Sequence, residues 1–463
     1  MFLCEKGKMQ VNLPTDFENR MKIMLGVEYD SFLEAFKNEE YYVGLRLNPK
    51  KKNVKELFSP ILNNCDKVEW CDDGYYCDKS VISGNHPYHL AGLCYFQEPS
   101  AMSSVEAIKI EPDDFVLDLC AAPGGKATQA GLKLSSKGLL VANEIIPKRA
   151  QILAENIERM GISNAIVTNE TPEKLAEKFE GFFDKIIVDA PCSGEGMFRK
   201  EPKAVEEWSI NHTKTCSVRQ RHILDCAYSM LSPGGSLVYS TCTFAPCENE
   251  ETVCYFLEKH LDMKLAKTGL DMLENGRNEW GNNETDVTLT KRIFPHKNKG
   301  EGHFVALFKK DGETPVRKEF KHKEDKNTQD AVKIYKEFEK NALNIELSGC
   351  FKLFGENLYL VPHGVEFDKL KVIRKGLHLG VCKKNRFEPS HALAVSLKEE
   401  DFKNKISFSK ESSELLKYLH GETLMGDISG YLGVFVDDNP IGWAKGSQGI
   451  IKNHYPKYLR LLK

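Results

Sequence analysis

Between residues 97 and 310, short apolar runs alternate with stretches of helical periodicity. The runs fall at 115–119, 139–144, 165–168, 185–189 and 235–240 and are rich in Val, Ile and Leu. Runs this short and this apolar predict strands buried on both faces. Stretches near 126–136, 148–160, 172–180 and 215–231 separate them and predict helices. Such alternation predicts an α/β fold: a doubly wound, Rossmann-like sheet over 96–310, closed by a late strand at 304–308.

The flanks read differently. Phe17, Met21, Met24 and Leu25 share one helical face, as do Phe32, Leu33 and Phe36. Residues 13–47 therefore predict helices followed by a strand at 44–47 that Pro49 ends. Residues 50–95 mix short elements with turns such as Asp73-Gly74 and Ser83-Gly84. We take 1–95 as a small N-terminal domain. Mixed charge at 311–326 predicts a solvated linker. A small α+β domain is expected over 327–400, and a domain of short strands and Gly-rich turns over 401–463.

Length and composition fit this division. A chain of 463 residues suggests about two to four domains. Its 41% hydrophobic and 28% charged residues and its mean hydropathy of −0.41 are those of a soluble globular protein. No run of about 18 apolar residues exists, and the N-terminus lacks an apolar leader core, so no membrane partner and a cytoplasmic location are expected. The net charge of −3 confines any nucleic-acid contact to local patches. The fourteen cysteines contain no C-x₂-C pair, so no metal site is expected and most should be reduced, buried thiols.

Candidate chemistry gathers where predicted strands end. Asp118-Leu119-Cys120-Ala121-Ala122-Pro123-Gly124-Gly125-Lys126 closes the first strand and opens a helix. Glycines there allow close approach of backbone to a ligand, and a helix N-terminus offers free N–H groups. The pattern is not G-x-G-x-x-G, which disfavours a dinucleotide. Glu144, at the end of the second strand, can accept both hydroxyls of an adenosine ribose. An adenosyl ligand without a pyrophosphate site points to S-adenosylmethionine. Asp189 ends the fourth strand on the same rim.

Two cysteines share that rim. Cys192 lies in Asp189-Ala190-Pro191-Cys192-Ser193-Gly194 after the fourth strand, and Cys242 in Ser240-Thr241-Cys242-Thr243 after the fifth. Carbon 5 of a pyrimidine is a poor nucleophile towards a methyl sulfonium. Thiolate addition at carbon 6 makes it enamine-like. The carbon 5 proton must then leave and the thiol be expelled, which calls for a base. A carboxyl near ring nitrogen 3, for which Asp189 is placed by sequence, could carry a proton that assists addition.

With these motifs the chain resembles the Sun/Nop family of RNA (cytosine-5) methyltransferases. Asp118 to Lys126, Asp189 to Gly196, and Ser240-Thr241-Cys242-Thr243-Phe244-Ala245-Pro246-Cys247-Glu248-Asn249-Glu250 match its hallmark segments in family order. Gln97 to Met102, Arg292 to His296 and Gly300 to Phe304 match its flanking ones. The resemblance implies that Cys242 is the nucleophile and that Cys192 promotes product release, with Asp189 and Lys126 beside them. It also implies that Cys120, Ala121, Ala122, Pro123, Gly124, Gly125, Lys126, Glu144 and Asp189 hold S-adenosylmethionine. Ala127 stands where members commonly have Ser or Thr, and the adenine-side Asp has no clear match; Asn169 is the candidate there. Lys126 is expected to favour the Cys242 thiolate.

The flanks resemble the bacterial RsmF-type branch, which methylates 16S ribosomal RNA. Leu13-Pro14 with Phe17, Arg20-Met21 and Leu25-Gly26 match at the start. His378-Leu379-Gly380, Lys384 to His391, Gly442 to Lys445 and Lys452 to Lys457 match near the end. The last region is similar to a PUA-like RNA-binding module. The partner implied is RNA, 16S rRNA or the small ribosomal subunit, bound by a monomer, with 1–95 and 401–463 as RNA-binding domains. Candidate RNA contacts are the cluster Lys369, Lys371, Arg374, Lys375, Lys383, Lys384 and Arg386; the rim pair Arg199 and Lys200; and Lys452, Lys457 and Arg460 with Tyr455 and Tyr458. A tRNA methyltransferase of the same family, a DNA cytosine-5 methyltransferase with Cys192 as nucleophile, and a non-catalytic RNA-binding assembly factor are the alternatives.

Overall fold

A computed structural model of the chain describes residues 13–37, 42–77, 81–315, 324–366, 368–384 and 386–462. The expectation about the N-terminal leader, much of the charged linker and Lys463 lie outside the described residues. At the centre is a mostly parallel sheet. Its strands are β1 (Phe115–Asp118), β2 (Leu139–Asn143), β3 (Ala165–Thr168), β4 (Phe183–Asp189), β5 (Leu231–Thr241), β6 (His303–Lys310) and β7 (Val372–Lys375). Their order across the sheet is β6-β5-β4-β1-β2-β3-β7, with short strands added beyond β6. The strands β3, β2, β1, β4 and β5 run parallel; β6 and β7 are antiparallel to their neighbours. Order therefore reverses beside β1, and a ligand crevice forms outside the carboxyl ends there.

The apolar runs are strands because both faces are covered. On one face Val116, Leu140, Val167, Ile187 and Val238 meet Ala127 and Ala130 of α1 (Gly125–Lys133) and Leu153 and Ile157 of α2 (Pro147–Arg159). On the other, Leu117, Val141, Ile166, Ile186 and Leu237 meet Leu175 of α3 (Pro172–Lys178) and Ile223, Leu224 and Ala227 of α4 (Ile210–Met230). The period-two alternation sends adjacent residues of each run into different cores. Each such side chain contributes about 1.5–3 kcal/mol by leaving water.

One strand departs from expectation. Residues 372–375, within the region taken as a separate α+β domain, pair with β3 at the edge of the central sheet, Val372 opposite Thr168 and Lys375 opposite Ile166. Arg374 turns inward there, 6% exposed, and donates to the Ile162 carbonyl at 2.9 Å. The rest of that region is a helix, Lys326–Ala342, over the sheet Cys350–Phe354, Asn357–Val361, Leu377–Lys383 and Arg386–Pro389. A five-stranded sheet follows, centred on Gly430–Val436 and Asn439–Ser447.

At the other end, helices Thr15–Leu25 and Tyr29–Lys37 set Phe17, Met21, Phe32 and Phe36 against Phe198, Phe244 and Phe294. Phe198 and Phe244 lie just beyond the two cysteine loops and Phe294 stacks on Phe244, so the N-terminal helices pack beside the candidate site. Arg46, 2% exposed on strand Val43–Leu47, donates to Gln97 and to Thr128 of α1 and ties the N-terminal sheet to the glycine loop. No helix among the described residues is long and apolar enough to cross a membrane.

Candidate active site

The glycine loop leaves β1 at Asp118 and is pinned on both sides. The Leu119 N–H donates to Ile187 of β4 at 3.0 Å and the Ala121 N–H to Asn143 of β2 at 2.8 Å. Gly124 has φ +118°, a conformation that suits glycine, and α1 starts at the next residue. The first-turn amides of α1, without partners inside the helix, therefore begin at the loop. Asp118 is fully buried with no well-formed hydrogen bond to its carboxyl oxygens, and burial, reinforced by Asp189, pushes it up to about 8. Burial likewise pushes the Cys120 thiol up.

Glu144 follows β2 and is 4% exposed. It accepts the Ile146 N–H at 2.9 Å and pairs with Arg149 at 3.1 Å. Arg149 also donates to the Ala122 carbonyl at 2.8 Å, so one guanidinium links the acid to the glycine loop. Asn169 follows β3. Its amide nitrogen donates to the carbonyls of Glu144 and Ile145 at 2.7 and 2.9 Å, which holds the Glu144 turn and leaves the amide oxygen as its acceptor side.

The two cysteines sit one beyond each of the adjacent parallel strands β4 and β5, where Asp189 stands opposite Ser240. Their sulfurs are 3.3 Å apart. The Gly196 N–H donates to the Cys242 carbonyl at 2.8 Å, and a Cβ on Gly196 would come within 2.9 Å of that oxygen, so only glycine permits this approach. The sulfur–sulfur contact pushes the Cys192 thiol well up, with burial acting in the same direction. Cys192 thus keeps its proton and can donate it towards Cys242.

Asp189 is held from three sides. Lys126, 7% exposed, pairs with it at 2.8 Å; Ser240 donates to it at 2.9 Å; His303 Nε2 stands 3.9 Å away. Burial raises the carboxyl, but Lys126, His303 and Ser240 together hold it below its usual range. Asp189 is therefore ionised, not the proton carrier the sequence suggested. The charge of Lys126 goes to Asp189 in the same way.

Several expected RNA contacts have internal duties instead. Arg199 bonds to Glu301 at 2.7 Å and to the Ala35 carbonyl at 2.9 Å, and Lys200 pairs with Glu301 and reaches the Tyr42 carbonyl. Tyr455 is a core residue, 2% exposed. Arg460 packs on Gly421 and donates to the Tyr455 carbonyl. Lys383 and Arg386 pair with Glu388 but stay at the surface, 40% and 64% exposed. Lys452, Lys457 and Tyr458 are exposed. In the other direction, sequence reasoning quoted Asp118, Glu248 and His303 only as motif letters and gave them no role. Asp118 stands two residues before Cys120 and Glu248 six after Cys242, which was the available signal for them; His303 is close to no named site residue in the sequence.

A doubly wound sheet with a glycine loop after its first strand that is not G-x-G-x-x-G, and an acid after its second, fits an S-adenosylmethionine-dependent methyltransferase. Family profiles narrow the class. Residues 105–309 match "16S rRNA methyltransferase RsmB/F", 13–99 the N-terminal domain of RsmF, 337–397 the RsmF first C-terminal domain and 403–461 the RsmF PUA domain. Over 97% of its length the chain is 30% identical to ribosomal RNA small subunit methyltransferase F of Vibrio vulnificus, covering 98% of that protein. It is also 30% identical to the protein of that name from an Escherichia coli strain, covering 94% of this chain and 93% of the relative. The chain belongs to the RsmF branch of the RsmB/F RNA (cytosine-5) methyltransferase family. Among solved structures, a methyltransferase homologue from Pyrococcus horikoshii superposes with a TM-score of 0.58 at 27% identity, covering 65% of this chain and 96% of that one. NSun6 from the same organism, solved with SFG, superposes with a TM-score of 0.55 at 20% identity over 65% of this chain and 99% of its own, and shares the fold.

Proposed function

We propose that this enzyme methylates carbon 5 of a cytosine in 16S rRNA through a covalent Cys242 adduct that Cys192 helps to resolve. The observation that carries the reading is the pair of sulfurs 3.3 Å apart at the ends of neighbouring strands. A lone thiol could add to the base, but resolving the adduct calls for a second proton-transferring group at the same carbon–carbon bond.

The site suits S-adenosylmethionine. Glu144 and Asp189 pair with Arg149 and Lys126 at the strand ends, while buried Asp118, up to about 8 in the free protein, lacks a partner of good geometry. A ligand that carries positive charge beside Asp118 favours its ionised form and supplies that partner. Cys120 to Lys126 would cradle it, Glu144 would accept its ribose hydroxyls, and Asp189 and the oxygen of Asn169 would line its adenine side and rim. When bound it supplies an electrophilic methyl group. Cys242 adds to carbon 6 as a thiolate, with the Cys192 S–H directed at its sulfur. With Asp189 ionised, the Lys126 ammonium beside it would donate to ring nitrogen 3 as addition proceeds, and Asp189 would accept from the 4-amino group. Once Cys242 is bound as a thioether it no longer holds the Cys192 proton; Cys192 gives that proton to solvent and, as a thiolate after methyl transfer, removes the carbon 5 proton while Cys242 leaves as a thiolate and nitrogen 3 returns its proton. The target cytosine must leave its stack to reach two thiols beside the N-terminal helices.

Incubation with 16S rRNA, assembled small subunits or tRNA, followed by bisulfite sequencing, tests the substrate. We expect protection of cytosine in 16S rRNA, free or assembled. Protection confined to tRNA overturns the rRNA reading, and no protection anywhere favours a non-catalytic RNA-binding role.

A further inference from the structure

Cys192 and Cys242 lie on separate loops, and a sulfur–sulfur contact does not hold loops together. Something else must fix their spacing. The Cys242 loop is anchored several times over. Asn249 accepts from Thr241 at 2.6 Å and donates to the Thr243 carbonyl at 2.9 Å, and buried Arg292 donates to the Phe244 carbonyl at 2.9 Å. Farther along, the Cys192 loop is tied to the Cys242 loop by the Gly196 N–H on the Cys242 carbonyl at 2.8 Å and by Glu195, which accepts the Phe244 N–H at 3.0 Å, but beside Cys192 itself the side-chain ties converge on one carboxyl. Glu248, fully buried six residues after Cys242, accepts the Ser193 N–H at 2.9 Å and the Ser193 hydroxyl at 2.5 Å. The Thr243 hydroxyl reaches the same carboxyl at 3.3 Å, and the Ser193 and Thr243 hydroxyls lie 2.9 Å apart. Gln220 of α4 donates to Glu248 at 2.8 Å and, with the same amide, to the Pro191 carbonyl at 3.1 Å. The carboxyl thus binds the residue after Cys192 to the residue after Cys242, while Gln220 braces the residue before Cys192.

We infer that Glu248 is the positioning residue that holds Cys192 against Cys242, so that its loss stalls the enzyme at the covalent adduct. This rests on the reading of Cys192 as the release thiol. Glu248 touches neither sulfur and acts only through Ser193. Because Cys242 keeps its own anchors, addition to carbon 6 and methyl transfer survive loss of Glu248. Release fails, because Cys192 is no longer fixed over carbon 5. Misplacement by about 1 Å lowers a step of this kind on the order of a hundred-fold. Burial, partly opposed by the Ser193 bonds and reinforced by Glu195, brings Glu248 up to about 7, so an uncharged carboxyl also fits the place. A glutamine can do the same work, its oxygen accepting from Ser193 and Gln220 and its amide donating to the two hydroxyls.

The test compares Glu248→Ala, Glu248→Gln and Cys192→Ala on radiolabelled 16S rRNA with S-adenosylmethionine, reading turnover and covalent protein–RNA complex on denaturing gels. We expect Glu248→Ala to lose turnover about a hundred-fold and accumulate the complex, as Cys192→Ala does, while Glu248→Gln stays near wild type. Ser193→Ala removes one hydroxyl and no charge. It should accumulate the same complex in lower yield, and it decides the matter if Glu248→Ala is not recovered folded. Loss of turnover without complex in Glu248→Ala or Ser193→Ala, alongside complex in Cys192→Ala, overturns the positioning role. Absence of complex in Cys192→Ala overturns the reading beneath it.

Discussion

Glu144→Ala should weaken S-adenosylmethionine binding while leaving the fold intact. In the free protein the carboxylate caps the Ile146 N–H at 2.9 Å and pairs with Arg149 at 3.1 Å. Arg149 is 49% exposed and keeps its bond to Ala122, so losing the pair costs at most about 1 kcal/mol of stability. The ligand loses more. Hydrogen bonds from ribose hydroxyls to a buried carboxylate are charge-assisted, and their removal costs about 1.5–3 kcal/mol. That is roughly a 10–150-fold rise in Kd. Arg149→Ala leaves the carboxylate in place and merely frees it to move, so its effect should be only a few-fold. Titration calorimetry on folded protein, checked by circular dichroism, measures both. An unchanged Kd in folded Glu144→Ala would remove this acid from the cofactor site, and a larger effect in Arg149→Ala would reverse the roles of the pair.

Replacing exposed Lys452 and Lys457 together should weaken RNA binding and flatten its salt dependence by up to about 1.5 in log–log slope, with S-adenosylmethionine affinity unchanged; an unaltered slope makes this segment a solvated face. Arg460 is left out of that variant because it holds the Tyr455 turn. Stability should fall as pH drops from about 6.5 towards 3. Burial, reinforced by Lys126 and opposed by Asp189, takes His303 down to about 3, so over that window the unfolded chain binds a proton that the folded chain excludes. The contribution is full above about 6.5 and is lost at up to roughly 1.4 kcal/mol per pH unit below it. Chemical denaturation across that range should give a shallower slope for His303→Gln, and an identical slope would show that His303 is not the group titrating.

The sheet was legible because strands covered on both faces must be apolar along their whole length, and the runs at 139–144 and 185–189 have no polar face to mistake for a surface strand. The strand-end motifs were legible because glycine, acid and cysteine are costly or reactive at those places without a ligand or a reaction. Charge was less legible. Arg199, Arg374 and Arg460 read as RNA contacts because a sequence shows that a guanidinium is present but not whether Glu301, Ile162 or Tyr455 waits for it. The edge strand at 372–375 was missed for the same reason: its partner lies two hundred residues earlier, and the half-polar run Val372-Ile373-Arg374-Lys375 looks like a basic surface until β3 is beside it. Asp189 read as a proton carrier until Lys126 and Ser240 were placed around it.

The assignment of the two thiols is tested most directly by trapping. Cys242→Ala and Cys192→Ala proteins are each incubated with radiolabelled 16S rRNA and S-adenosylmethionine and resolved on denaturing gels. Cys242→Ala should neither methylate nor form a covalent complex. Cys192→Ala should add to the RNA, transfer the methyl group and remain attached. A covalent complex in Cys242→Ala and none in Cys192→Ala would contradict this and make Cys192 the nucleophile.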